Sequence, residues 1–205
     1  MTPRTEWGST LSAASLVLAL GTALLWQLTD GLQIFTSEAW RRAEIQKQPR
    51  PLPQMSLQDE RGQLLDLRSL CGQVLVMDFI YTRCPGICKA LGATSAQLAK
   101  EFAQAGQPVT VLSVSLDPVN DGPDQLAAFK KSQEPQPTAW RLVRPVHQAD
   151  RDQLLAIAGV VVIPDGLGGF EHNAALHIVD KACRINELVD MEDMDHAKRA
   201  VQALL

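Results

Sequence analysis

Apolar positions along this chain follow three different patterns. From Ser9 to Leu28 they run without a single charge, and Leu11, Leu16, Val17, Leu18, Leu20, Leu24 and Leu25 fill the stretch. Twenty such residues match the length of one membrane-spanning helix. Trp7 and Trp26 bracket the run as interfacial tryptophans do. A cleaved signal peptide shares the apolar core, but no small-x-small cleavage site follows. Residues 29–54 are polar by contrast. Ser37 is placed to cap a short helix through Glu44, and Pro49, Pro51 and Pro53 alternate into a stiff extended spacer.

From Met55 onward, short apolar runs alternate with helical periodicity. Met55 to Leu67 reads as a hairpin turning at Glu60-Arg61-Gly62. Val74-Leu75-Val76-Met77 is short and apolar enough for a central strand, which ends near Tyr81. In the stretch Cys88 to Ala103, Leu91, Leu98 and Phe102 recur at helical spacing. Val109 to Ser115 is a valine-rich strand. A long turn, Leu116 to Pro123, leads into a helix through Lys131. Arg141-Leu142-Val143 is a short strand, and Gln148 to Ala158 is a helix stopped by Gly159. Two strands, Ala174 to Val179 and Arg184 to Val189, are joined by Asp180-Lys181-Ala182-Cys183, and a helix begins near Asp193. Strands separated by helices imply parallel pairing in the middle, with an antiparallel hairpin at the end. The expected fold class is α/β, a thioredoxin-like mixed sheet flanked by helices, preceded by one N-terminal transmembrane helix. The expected domains are residues 1–28 (tail and anchor), 29–54 (connector) and 55–205 (folded domain).

Composition narrows the function. A formal net charge of −4 and the lack of a basic patch with interleaved aromatics speak against nucleic-acid binding. Four cysteines, Cys71, Cys84, Cys88 and Cys183, are too few for a disulfide scaffold and enough for a redox or metal site. Cys84 and Cys88 stand at the turn from the central strand into the first helix, with Pro85 where that helix can begin. The reading is Cys84 at the N-cap and Cys88 one turn in. A helix N-terminus carries free amide donors and partial positive charge, so Cys84 is expected to be the more acidic thiol. Two sulfurs on one helix face can close a disulfide or grip a soft metal ion, and spacing alone does not choose.

Glu171-His172-Asn173 precedes the strand that contains His177. If that strand runs antiparallel to the cysteine strand, His172 falls beside Cys84 and Cys88, and His177 sits within the sheet. The same pairing brings Cys71 and Cys183 together at the opposite pole, either as a disulfide or as two free thiols filling small gaps. Asp117 and Glu171 can orient an imidazole, or Asp117 can be a plain turn aspartate. Asp78 can tune the thiols or be a satisfied strand aspartate. Met191, Met194 and His196 look like a separate soft-metal site, but their acidic neighbours favour a solvated helix cap.

The segment Asp78 to Cys88, the Ser113-Val114-Ser115-Leu116-Asp117-Pro118 turn and Glu171-His172-Asn173 together resemble the Sco/SenC family. These are membrane-anchored, thioredoxin-like copper proteins that assist the copper centre of cytochrome c oxidase. The resemblance covers roughly residues 50 to 190. It implies that Cys84, Cys88 and His172 bind copper. It implies a copper-receiving oxidase subunit, or another copper or thiol client, as partner. It also implies an N-terminal membrane anchor with the domain on the periplasmic or extracytoplasmic side. A literal count of Arg4 against Arg41, Arg42 and Lys47 points the other way, and the resemblance overrules it. Three positions depart from the family pattern: Gly86 where many members have an acid, Glu171 where many have aspartate, and Ala182-Cys183 where glycine is common.

Two thiolates and an imidazole form a soft set suited to copper(I), whereas structural zinc wants four ligands. The competing reading is a thiol–disulfide oxidoreductase in which Cys84 and Cys88 are catalytic and reduce client cysteines before metallation. A peroxiredoxin-like peroxidase would place threonine three residues before its cysteine, after a proline, and Thr82 is two before Cys84.

Overall fold

The computed structural model describes residues 5–29, 31, 36–84, 86–133, 137–166 and 168–205. The chain divides into two compact units, Met1–Glu44 and Ile45–Leu205. The first unit holds α1 (Thr5–Leu28), whose 24 residues span about 36 Å. Its part Thr10–Leu28 has a mean hydropathy of 1.7 and is long and apolar enough to cross a membrane. The hydroxyls of Ser12 and Thr22 donate to the carbonyls of Gly8 and Leu18, at 2.9 and 2.8 Å, so these polar groups are satisfied within the helix. At α2 (Ser37–Lys47) the cap is Thr36 and not Ser37. Thr36 Oγ1 accepts from the Ala39 N–H at 3.1 Å, and Ser37 is already helical.

The second unit runs β1 (Arg50–Pro51), β2 (Ser56–Asp59), β3 (Leu64–Asp66), β4 (Val74–Ile80), α3 (Ile87–Gln104) and β5 (Val109–Ser115). It continues with α4 (Pro123–Lys131), β6 (Trp140–Pro145), α5 (Gln148–Ala158), β7 (Val162–Pro164) and β8 (Phe170–His172). β9 (Leu176–Val179), β10 (Arg184–Val189) and α6 (Met194–Gln202) complete it. Eight strands form one mixed sheet in the order β1-β10-β9-β4-β5-β6-β2-β3, and β7 and β8 pair separately. The helix-linked strands β4, β5 and β6 are parallel, while β9 runs antiparallel to β4. All seven residues of β4 are buried. This is what a strand apolar at every position but Asp78 needs when both sheet faces are covered. Helix α3 turns Cys88, Leu91, Ser95, Leu98 and Phe102 inward. Helix α5 ends at Gly159, whose φ of 68° is left-handed and lets its N–H close on Ala156 O.

Two elements differ from the sequence reading. The strand expected from Ala174 begins at Leu176, and the segment before it folds back as the β7–β8 hairpin, which apolar alternation did not reveal. The alternating prolines do keep their segment extended, but part of the extension is used in the sheet. Arg50 and Pro51 pair with Ile185 and Arg184 as an edge strand, the position where proline is tolerated.

At the pole where β4 starts and β9 ends, Cys71 and Cys183 form a disulfide with a Cα–Cα distance of 5.3 Å. The register Leu75↔Val179 and Met77↔His177 brings them together, as the antiparallel pairing requires. The Cys183 side chain points inward and is fully buried.

Asp78 lies in β4 and is fully buried. Burial pushes its carboxyl up to about 7, against hydrogen bonds from Ser95 and Ser113 that favour the anion. Trp140 Nε1 donates in turn to Ser113 Oγ at 2.9 Å. Because the folded value lies above the unfolded one, the stabilisation belongs to low pH and is lost as pH rises through about 7. Stability against urea is therefore expected to fall from about pH 4 to about pH 7 and to level off above it, and Asp78→Asn should flatten most of that slope. An equal slope in the variant would assign it to other groups.

Candidate metal centre

β4 ends at Ile80, and the chain turns through Thr82 and Arg83 to Cys84 before α3 begins. The turn is braced from the loop after β5. Asp121, fully buried, accepts from the Thr82 N–H at 3.1 Å, from Thr82 Oγ1 at 2.6 Å and from Ser115 Oγ at 2.6 Å. Asp117 accepts from Arg83 Nη2 at 2.7 Å and from Asn120 Nδ2 at 2.9 Å. Asp117 is thus a turn aspartate that anchors the residue before Cys84. Asp121 was missed by sequence reasoning, which gave the loop's chemistry to Asp117. The only signal for it was a second acid two residues before the helix-opening Pro123.

The helix start corrects one expectation. The N-cap of α3 is Gly86, and Cys84 stands two residues before it. Pro85, read as the first helical residue, lies outside the described residues. Cys84 nevertheless meets a free helix amide, since the Cys88 N–H donates to Cys84 Sγ at 3.3 Å. Both thiols are reduced and buried, Cys84 at 5% exposure and Cys88 at 0%.

The two thiols differ in acidity. Burial alone would push the Cys84 thiol up. Donation from the Cys88 thiol and from the backbone N–H groups of Cys88 and Gly86 outweighs it, so Cys84 lies below the ordinary thiol range. Burial first, and then the neighbouring Cys84, drive Cys88 far above that range. The reduced, metal-free chain is therefore expected to be alkylated at Cys84 before Cys88 across a pH series read by mass spectrometry. The reverse order would show that the helix amides do not govern the site.

His172 arrives from β8, and its Nε2 lies 3.9 Å from Cys88 Sγ. Burial lowers its pKa, against an opposing backbone hydrogen bond at Asn173. The imidazole is thus neutral at neutral pH and has a lone pair to give. Neither Asp117 nor Glu171 orients it: Asp117 holds Arg83 and Asn120, and Glu171 is exposed. His177, in β9, is fully buried; its Nε2 lies 3.2 Å from Ala158 O and its ring meets Phe79 edge-on. His196 pairs with Glu187 at 2.8 Å, and Asp193 caps α6 through the His196 N–H.

Among the described residues, no three His, Cys, Asp or Glu side chains are closed around one ion position. The chemistry of the donors still suits a soft ion. Bond lengths of about 2.3 Å to sulfur and 2.0 Å to nitrogen put the two atoms roughly 3.8 Å apart across a trigonal angle. The Cys88–His172 separation matches that span.

Comparison with known proteins places these residues in context. A family model described as SCO1/SenC matches residues 44–204. The chain is 29% identical over 126 residues to the SCO1 protein homolog of Bacillus subtilis (strain 168), covering 60% of this chain and 65% of that relative, just under two thirds of its length. Among solved structures, the fold is similar to BsSco, described as having a disulfide switch and as a member of the Sco family of cytochrome c oxidase assembly proteins. That match has a TM-score of 0.68 at 22% identity over 77% of this chain and 94% of that one. It is also similar to Bradyrhizobium japonicum ScoI with copper bound, with a TM-score of 0.65 at 19% identity over 76% and 99% of the two chains.

Proposed function

We propose that this chain, which belongs to the SCO1/SenC family, carries copper on Cys84, Cys88 and His172 and delivers it to the copper-receiving subunit of cytochrome c oxidase. The observation that carries this reading is the approach of His172 Nε2 to Cys88 Sγ, at 3.9 Å, from a hairpin outside the main sheet. A purely thiol-based oxidoreductase has no use for that imidazole. Copper(I) prefers two thiolates and an imidazole to harder donor sets. The copper bound to the Bradyrhizobium japonicum relative and the oxidase-assembly role of BsSco support the same assignment.

A second reading, a thiol–disulfide oxidoreductase, is favoured by the acidity difference between the thiols. Cys84 thiolate would attack a client disulfide and release one client thiolate, which takes up a proton. Cys88 would then displace the second, leaving the client as a dithiol and the Cys84–Cys88 pair oxidised. An external dithiol would have to reduce that pair for another turn.

Residues 1–28 are proposed as the membrane anchor, with α1 as the spanning helix. The domain is proposed to face the extracytoplasmic side. The Cys71–Cys183 disulfide supports this, because such bonds persist in oxidising compartments.

The deciding experiment mixes the copper(I)-loaded full chain with the metal-free, reduced copper domain of an oxidase subunit. Appearance of copper on the acceptor is the expected result. Copper that stays on the donor, with the metal-free chain instead reducing an oxidised acceptor, would favour the second reading.

A further inference from the structure

His172 reaches the thiols from a two-stranded hairpin of three residues per strand. Such a hairpin is marginal in water unless something else holds it. Two attachments flank the histidine. On its C-terminal side, Asn173 Oδ1 accepts from the Val161 N–H at 2.8 Å, and Asn173 Nδ2 donates to Gly159 O at 3.3 Å, tying the hairpin to the end of α5. On its N-terminal side the tie runs to the cysteine strand. Tyr81 Oη donates to Phe170 O at 3.0 Å and accepts from the Phe170 N–H at 3.2 Å.

Three further observations bear on this contact. The Tyr81 and Phe170 rings meet edge to face with centroids 5.5 Å apart. A Cβ added at Gly169 would stand 3.1 Å from Tyr81 Oη, so the hairpin backbone passes directly against the hydroxyl. Tyr81 itself is 3% exposed and immediately follows β4, three residues before Cys84. Residues two apart on a strand share a face. Phe170 and His172 therefore address the same side, one against Tyr81 and the other toward Cys88.

We propose that Tyr81 is a positioning residue for His172: its hydroxyl latches the β7–β8 hairpin to the cysteine strand, and opening of the latch gates the release of copper. With the latch closed, the imidazole stands beside the thiols. With it open, the ion keeps only the two thiolates, and an acceptor's soft ligand can take the place His172 vacates. The gate rests on the copper reading above, whereas the latch does not.

Tyr81→Phe keeps the ring and its edge contact and deletes only the hydroxyl. The full chain in detergent is measured in two ways: amide hydrogen exchange of the reduced, metal-free protein, and loss of copper(I) to a competing chelator. Exchange at the Phe170 amide is expected to rise about tenfold, the scale of one or two lost hydrogen bonds, with the β9 amides unchanged. Copper should leave several-fold faster from Tyr81→Phe than from the parent chain. Tyr81→Phe/His172→Ala should lose it no faster than His172→Ala alone, a dependence that a merely structural tyrosine would not produce. Unchanged Phe170 exchange overturns the latch. Faster exchange with copper loss at the parent rate overturns the gate. A parent chain that binds no copper removes the gate together with the copper reading, and Phe170 exchange then decides the latch by itself.

Discussion

In His172→Ala, copper affinity is expected to drop by at least about 100-fold while the sheet stays intact. Partners that merely orient a metal ligand cost about 10- to 100-fold when lost, and a direct donor costs more. His172 is half-buried at the end of β8, outside the main sheet, so its truncation leaves no large core cavity. Cys84→Ala and Cys88→Ala should lose copper to a similar degree. His177→Ala separates binding from stability. It deletes a buried ring that lies against Ala158 O and Phe79, and should cost about 2 kcal/mol while copper is retained. The measurement is competition for copper(I) against a chelator, with urea unfolding alongside. Parent-like affinity in His172→Ala would remove the site assignment.

Reducing the Cys71–Cys183 bond, or replacing Cys71 by alanine, is expected to lower unfolding stability by roughly 4 to 5 kcal/mol in the chain-entropy model, given its sequence separation of 112. That is a large part of the stability of an ordinary domain. The bond also pays for a strained backbone. Cys183 sits at φ 61°, the left-handed region, in the turn between β9 and β10. An L-residue there costs about 1 kcal/mol or more relative to glycine. Cys71→Ala/Cys183→Gly should therefore be more stable than Cys71→Ala/Cys183→Ala by about that amount. Both double variants should still take up copper, because the disulfide lies at the opposite end of β4 and β9 from Cys84 and His172. An unfolding midpoint that does not respond to reductant would contradict the expectation.

Local pattern carried much of this fold. The apolar run Val74 to Met77 of β4, the helical spacing of Leu91, Leu98 and Phe102, and the valine run of β5 each mark their element from within a few residues. The antiparallel placement of β9 beside β4 entered the sequence reading only as a condition, from which the meeting of Cys71 and Cys183 followed, and the structure meets that condition. The Cys-x3-Cys spacing and the histidine before β9 were legible for the same reason: each depends on neighbours close in sequence.

What holds the site together depends on residues far apart in the chain. Thr82 and Asp121 are 39 positions apart, and Tyr81 and Phe170 are 89 apart. No periodicity links such pairs, since a hydrogen bond across that distance exists only once the sheet has brought the ends of β4, β5 and the β7–β8 hairpin to one pole. The shift of the α3 cap from Cys84 to Gly86 has a similar origin. Propensity allows either start, and the anchoring of Thr82 and Arg83 to the loop after β5 selects the observed one. By itself the sequence picked out Cys84, Cys88 and His172 as candidate donors for a soft ion. The tertiary structure decided that Gly86 caps α3 while the Cys88 amide still meets Cys84 Sγ, and that the hairpin carrying His172 beside Cys88 meets the Tyr81 hydroxyl and the Asn173 amide.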